Sequence, residues 1–477
     1  MLPRRLAWQS SRSAVEPRFL ASGLSKHIVM SKITDVIVLG AGAAGLAAAA
    51  ELGRAGVSVT ILEARDRIGG RMFTQRDPVC DAPIECGAEF IHGLPPEIWE
   101  PLQARNVRIT EVNGDLWCFR KARLCSCDFF SEVDDILRKM DTNAPDESFL
   151  SFLKRCYIGK GGPKEQEASE RALAYVTGFN AADPDRVGVH WLVKGMKAEE
   201  QIEGDRAFRS ANGYQDLLDI FCEELAQVGV HTQTQTVVES VRWTAGRVEV
   251  SADGVSEPRK FEAACVLVTI PLGVLKAEPD DEGAIQFTPA LPQTKLDALK
   301  KLEMGKVIRV TLRFRNRFWD TISAPGAENK TLSGMSFLLS DDEWLPTWWT
   351  TMPEKLPIIT GWAPFRCAER LSGKSHDFVV DRCLQTLSRL LNIGLEQITP
   401  LLDAAYFHDW QSDPFSRGAY SYGAVGAGGA QEALASPIDN TLFFAGEATD
   451  TTGHNGTVHG AIASGRRAAK DILHGLD

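Results

Sequence analysis

The sequence has no Cys-x-x-Cys pair, no surplus of positive charge, no long uninterrupted apolar run and no internal repeat. Of its ten cysteines only Cys125 and Cys127 are closely spaced, and no histidine stands at ligand distance from them, which argues against a structural zinc site or a redox pair. The cysteines read as free thiols of a reducing compartment. Lys plus Arg number 52 against 63 Asp plus Glu, and the resulting net charge of −11 repels polyphosphates and anionic lipid surfaces at long range. Neither nucleic acid nor a membrane is an expected partner. The longest apolar stretch, residues 36–50, is shorter than the roughly twenty residues a membrane span requires and is broken by glycines. Without a repeat, a solenoid or propeller is excluded. Residues 1–30 carry Arg4, Arg5, Arg12, Arg18 and Lys26 against the single acid Glu16 in a Ser-rich stretch. They read either as a transit peptide or as an extension upstream of a start at Met30, disordered in both cases. The protein is expected in the cytoplasm, or in an organelle if the extension is a true transit peptide.

What is present is ample apolar material, 44% of 477 residues, enough for more than one core. Asp35-Val36-Ile37-Val38-Leu39 reads as a strand buried on both faces of a parallel sheet. It enters Gly40-Ala41-Gly42-Ala43-Ala44-Gly45 and an Ala/Leu-rich helix to Arg54, closed by Gly56. Residues 57–62 supply a second strand ending in Glu63. Gly40 permits a tight turn, Gly42 lets backbone approach a diphosphate, and Gly45 lets the helix pack closely. Glu63 can accept hydrogen bonds from a ribose diol, and its charge would repel a 2′-phosphate.

Farther along, residues 95–204 read as helices and polar loops, broken at Gly159-Lys160-Gly161-Gly162-Pro163. A helix over 213–225, an alternating stretch over 237–250 and an apolar strand over 265–270 return to the sheet. The chain leaves again with a helix over 295–302 and an alternating strand over 307–314, and comes back with a strand over 442–446 and a helix over 456–473. Two interleaved domains fit this order better than two consecutive ones.

The sequence following Glu63, Ala64-Arg65-Asp66-Arg67-Ile68-Gly69-Gly70-Arg71, resembles the flavin amine oxidases, the family of monoamine oxidases, polyamine oxidases and the lysine-specific histone demethylase, with polyamine oxidases closest in motif. The resemblance implies an α/β fold, in which a Rossmann-type FAD-binding domain (31–100, 205–288 and 403–477) is interleaved with a mixed α+β substrate domain (101–204 and 289–402). It implies that Gly40, Gly42, Gly45, Glu63, Arg65, Gly70 and Arg71 contact FAD. Gly87-Ala88-Glu89-Phe90-Ile91-His92-Gly93 looks like the segment in which polyamine oxidases carry an active-site histidine, here His92. Thr236-Val237-Val238-Glu239-Ser240-Val241 resembles the adenine-contacting strand, with Val238 offering its backbone. Phe444-Ala445-Gly446-Glu447-Ala448-Thr449 and Gly456-Thr457-Val458-His459-Gly460-Ala461 are similar to the second flavin motif, which makes Gly446, Glu447 and Val458 cofactor contacts.

On the substrate side, Tyr420 stands where the family places one wall of an aromatic cage, and Thr457 where monoamine oxidases place the other. Half the cage is absent, so a bulkier or longer amine is expected. Ala419 replaces the cysteine that monoamine oxidases bond to the flavin, which implies noncovalent FAD. Arg309 aligns with a lysine that holds a water against flavin N5, and Lys306 points to the opposite face of the same strand. No metal is expected. The implied activity is oxidation of a small-molecule amine, preferably a polyamine, by hydride transfer to flavin N5, with Arg309, His92, Tyr420 and Thr457 at the reacting centre. FAD-dependent dehydrogenation of a nonamine, or a noncatalytic flavoprotein, stays open as an alternative.

Overall fold

Strand Thr34–Leu39 lies inside a parallel sheet, between Val59–Leu62 and Arg259–Val268. The structure, a computed structural model, describes residues 34–160, 162–254, 259–323 and 330–476; the disordered extension expected over 1–30 falls outside them. Successive strand side chains alternate between faces. Val36 and Val38 therefore join one core with helices Ala43–Arg54, Gln215–Gln227 and Val458–Leu476, while Ile37 and Leu39 join another with Val241, Val248, Val250 and Phe444. Burial on both faces is why this strand reads as a continuous apolar run.

The sheet continues outward in the order His231–Gln233, Val59–Leu62, Thr34–Leu39, Arg259–Val268, Arg247–Gly254, Thr236–Thr244 and Gln286–Thr288. Leu442–Phe444 pairs in parallel with the last three residues of Arg259–Val268, on the edge away from Thr34–Leu39, bringing the C-terminal segment back into the sheet one strand from the first. Helices Ala43–Arg54 and Val458–Leu476 touch through small residues: a Cβ on Gly465 would lie 2.2 Å from the Ala44 carbonyl oxygen.

A second sheet runs Leu402–Tyr406, Val307–Phe314, Ile358–Pro364, Thr347–Thr350, Met335–Leu339, Asp115–Arg120 and Arg123–Ser126. Helix His376–Leu391 packs on it through Val379, Cys383 and Leu387. Strand Leu402–Tyr406, of which residues 403–406 are grouped above with the FAD-binding segments, pairs with Val307–Phe314 in this sheet. Helices Phe149–Cys156 and Pro163–Gly178 flank the glycine-rich break, whose Pro163 opens the second of them, and share a core with Val189–Gln201. No helix among the described residues is long and apolar enough to cross a membrane.

Two differences from the sequence reading have physical causes. The stretch read as helices and loops contains the hairpin Asp115–Arg120 and Arg123–Ser126, joined by Lys121 and Ala122 with φ of 49° and 59°. A two-residue turn with both φ positive is normally announced by Asn or Gly, and neither is present. The same hairpin corrects the reading of ten free thiols, because Cys118 and Cys127 form a disulfide across it, Cα atoms 5.9 Å apart. Their separation of nine residues hides a closeness that only the hairpin creates.

Candidate active site

The glycine turn sits where strand Thr34–Leu39 gives way to helix Ala43–Arg54. Gly40 has φ of +101°, and a Cβ on Gly45 would lie 2.1 Å from the Gly40 carbonyl oxygen, so both positions require glycine. Gly42 differs from them. It caps the helix with ordinary φ, no side chain caps the first turn, and a Cβ there would meet no protein atom within 4 Å. Uncapped first-turn amides facing open space at the positive end of a helix form an anion cradle, which fits a diphosphate.

Around this cradle the expected contacts assemble. Glu63, 4% exposed, accepts the Ala41 amide at 2.8 Å and the Arg65 amide at 3.0 Å, which fixes its carboxylate at the strand tip. Gly70 has φ of +57° and lies against Gly42, where a Cβ would sit 3.4 Å from the Gly42 Cα. Arg65 pairs with Asp413 at 2.8 Å. Arg71 bonds the Ala419 carbonyl at 2.7 Å and Glu447 at 2.9 Å, tying the arginine turn to the C-terminal motif. Val238 lies in the strand whose first amide, that of Thr236, donates to the Glu63 carbonyl, and the strand bulges between Val238 and Ser240. A bulge frees backbone groups from the ladder.

Gly446, with φ of +121°, turns the chain out of Leu442–Phe444. The adjoining Glu447 is buried, and besides Arg71 it takes the Ser421 amide, the Ser421 hydroxyl and the Gly456 amide. This carboxylate thus fastens three segments before it contacts any ligand. Thr457 uses its hydroxyl to accept the Gly460 amide at 3.0 Å and to donate to the His454 carbonyl. It is the cap of helix Val458–Leu476, and the amides of Val458 and His459 have no acceptor among the described residues.

The structure brings His92 and Tyr420 together at Phe179. Tyr420 donates its hydroxyl to the Phe179 carbonyl at 2.7 Å, and the His92 ring meets the Phe179 ring edge-on at 5.4 Å. Tyr420 packs against Gly456, the residue before Thr457. Burial pushes the His92 imidazole down to about 4, so it is neutral at pH 7.

Arg309 lies over Trp349, whose ring packs on Phe90, the aromatic neighbour of His92. Its guanidinium bonds the Gly87 carbonyl at 3.2 Å and Glu89 at 2.6 Å beside the Trp349 ring, while its Nε is buried without a partner. Glu89 also receives Arg209 at 2.6 Å and the Trp349 indole N–H at 3.0 Å. Lys306, on the opposite face of the strand, pairs at the surface with Glu369.

Several residues were missed by reading the sequence for motifs. Glu89 stands within the quoted His92 segment, and a buried acid there could have been paired with Arg309. His459 likewise lies inside a quoted motif, and its ring stands 4.8 Å from that of His454. Burial and the neighbouring His454 and His92 push His459 down to about 3. Phe179, Trp349 and Arg209 carry no local signal, because only the tertiary fold brings them to the site.

The family model for flavin-containing amine oxidoreductases matches residues 43–111 and 132–473. Polyamine oxidase 4 of Oryza sativa subsp. japonica is 27% identical, over 92% of this chain and 88% of its own length. Lysine-specific histone demethylase 1 homolog 3 of Arabidopsis thaliana is 30% identical over 92% of this chain, which corresponds to 30% of that longer protein. Wild-type putrescine oxidase bound to putrescine has the same fold, with a TM-score of 0.76 at 20% identity over 93% of this chain and 99% of that one. With that family match over most of the chain, and with an uncapped helix N-terminus and a buried acid at the tip of the neighbouring strand, this chain belongs to the flavin-containing amine oxidoreductases and is an FAD-dependent oxidoreductase.

Proposed function

We propose that the protein oxidises a polyamine or another long or bulky amine, with FAD held noncovalently. The observation that supports this most is the convergence of Tyr420 and His92 on Phe179, with Tyr420 packed on Gly456 at the start of helix Val458–Leu476. Bound FAD would supply a two-electron acceptor for a hydride from the carbon next to the amine nitrogen, the imine then hydrolysing and hydrogen peroxide forming if oxygen is the acceptor.

Gly40, Gly42 and Gly45 would admit the diphosphate, Glu63 the ribose, Val238 the adenine edge, and Arg65, Gly70 and Arg71 would close the turn over them. Gly446, Glu447 and Val458 would line the polyol and ring. Ala419 offers no thiol to the ring, which supports noncovalent binding.

His92, neutral and half-buried, can accept a hydrogen bond from an amine without adding positive charge to the pocket. Tyr420, held by its hydroxyl, presents a fixed ring against which an amine can lie. Thr457 turns its short side chain into the helix cap, so no second aromatic wall stands there, and a longer substrate is accommodated. Arg309 and Arg209 pair with Glu89, and the nearby Glu85 is pushed up to about 7 by burial and so carries only part of a charge at neutral pH, which leaves positive charge near the site. That charge favours the neutral amine, the form able to release a hydride. Arg309 spends two of its five N–H donors on Gly87 and Glu89, and its Nε, buried without a partner among the described residues, is a donor able to hold a water.

The test is to purify the protein, record its flavin spectrum, and mix it anaerobically with polyamines, arylamines and amino acids. Bleaching is expected to be fastest with the polyamines. If no amine bleaches the flavin, the proposal fails.

A further inference from the structure

Strand Leu402–Tyr406 belongs to the second sheet, and the loop that leaves it carries His408 toward the turn that holds Arg65 and Arg67. Asp409 fixes this loop, its carboxylate accepting the Ser372 hydroxyl at 2.8 Å, the Gly373 amide at 2.9 Å and the Ser412 hydroxyl at 2.8 Å. The His408 ring packs on Trp410, with centroids 4.2 Å apart, and meets Phe73 edge-on at 6.0 Å. The Arg67 guanidinium lies 3.8 Å from the centre of the Phe73 ring, and its Nη1 bonds the Ile68 and Gly70 carbonyls. His408 therefore sits against the packing that shapes the arginine turn.

Its polar contact is Asp413. His408 Nε2 lies 2.7 Å from Asp413 Oδ2, while Oδ1 takes Arg65 Nη2 at 2.8 Å and the Phe415 amide at 2.9 Å. Burial alone would raise the Asp413 carboxyl, but the bonds from His408 and Arg65 outweigh it and hold it at about 2. Against an ionised carboxylate Nε2 is the donor, in the neutral tautomer and in the imidazolium alike. The two carboxylate oxygens thus have different partners. An arginine that meets a carboxylate with both oxygens free commonly takes them as a bidentate fork. With Oδ2 spent on His408, Asp413 holds Arg65 through Nη2 alone, and Nη1 stands 3.8 Å from Glu63, beyond hydrogen-bond reach. The rings of Trp410 and Phe415, 5.8 Å and 5.6 Å from the Arg65 Cζ, steady the guanidinium without using its donors.

We propose that His408 is a positioning residue for the cofactor: by occupying one oxygen of Asp413 it keeps Arg65 from closing a fork on that acid and leaves the guanidinium free for the FAD diphosphate. This rests on the reading of Arg65 as a cofactor contact. Without the imidazole donor, the freed Oδ2 turns to Arg65, and the two-point pair competes with the diphosphate for the same N–H groups. A residue delivered by the second sheet thereby sets how tightly the chain holds FAD.

The experiment titrates apoprotein of the full chain with FAD, followed by flavin fluorescence, in the parent and in His408→Phe, His408→Leu and His408→Gln, each with and without Arg65→Ala. The first two variants lack the donor and differ in whether a ring remains on Trp410. Their apparent Kd for FAD should rise about tenfold, the effect of one charge-assisted hydrogen bond. His408→Gln, whose side-chain amide can donate to Asp413, should stay within about threefold of the parent. In the Arg65→Ala background the donorless substitutions should add less than about twofold, because they act through Arg65. An equal rise in Kd with and without Arg65, the result of a purely structural role, overturns the proposal, as does an unchanged Kd in both donorless variants, and either leaves the cofactor turn standing. An unchanged Kd in Arg65→Ala alone overturns the cofactor turn, and the positioning role with it.

Discussion

Gly42→Ala and Gly45→Ala separate two demands made by one glycine motif. A methyl group on Gly42 meets no protein atom within 4 Å, so the fold should accept it, with a stability change within about 0.5 kcal/mol. It would stand in the space offered to the diphosphate, and FAD affinity, measured by titrating apoprotein, should fall about tenfold or more. A methyl on Gly45 would lie 2.1 Å from the Gly40 carbonyl oxygen. There the loss should appear in folding, by about 1–3 kcal/mol of denaturant stability, with or without FAD. If Gly42→Ala binds FAD as tightly as the parent, the cradle is misplaced. Glu89→Gln probes the other charged centre. It would leave Arg309 and Arg209 without their shared counter-charge and should cost about 3–5 kcal/mol in a urea titration. The glycine pattern was legible because each glycine answers a local backbone constraint. The significance of Glu89 was not, because its partners come from residues 209, 309 and 349, which sequence alone does not bring together.

At the scale of elements, helix Val458–Leu476 shows how a residue named for one role can serve another. Thr457 was expected at the cage, and it stands beside Tyr420 through Gly456, but its hydroxyl caps the helix. Thr457→Ala should therefore lower stability by about 0.5–2 kcal/mol in thermal or urea unfolding, and Thr457→Ser should restore it. Flavin reduction by a polyamine should persist in both, and a large fall in the reduction rate for Thr457→Ser would mean that the methyl group, and not the cap, is what the site uses. The first strand and both helices that enter the flavin motifs were readable, because continuous β-branched runs and Ala-rich segments each admit one structure. The hairpin at 115–126 was not. Its turn residues Lys121 and Ala122 adopt positive φ without the Asn or Gly that signals it, and parallel pairing of Asp115–Arg120 with Met335–Leu339 supplies the stabilisation. Val307–Phe314 was read as alternating, yet all eight residues are buried, because Arg309 and Arg313 face acids rather than solvent.

The whole molecule joins its sheets through buried charge, and this gives its stability a pH dependence whose sign can be worked out group by group. Asp77 receives Arg313 and the Tyr406 hydroxyl, linking the segment after Thr74–Arg76 to the second sheet. Burial alone would raise its carboxyl, but hydrogen bonds from Tyr406, the Cys80 and Val79 amides and Arg313 outweigh that and hold it well below its ordinary 3.8. Its contribution is present at neutral pH and is lost as pH falls below about 3.8. His92 and His459, pushed by burial from 6.5 to about 4 and about 3, take up protons more readily in the unfolded chain, so stability declines as pH falls below 6.5. Glu85 and Glu199 act in the opposite sense. Burial raises both from 4.5 to about 7, and the stability this contributes is lost as pH rises from 4.5 through 7. Between 4.5 and 6.5 the two pairs offset each other, and the urea midpoint should be nearly flat there before dropping steeply below about pH 4. In His92→Gln/His459→Gln only the carboxyl pair remains active in that window, and acidification should raise the midpoint. In Glu85→Gln/Glu199→Gln the histidines act alone, and acidification should lower it. If both double variants keep the parent's flat profile, the burial of these four groups does not govern the stability of the fold.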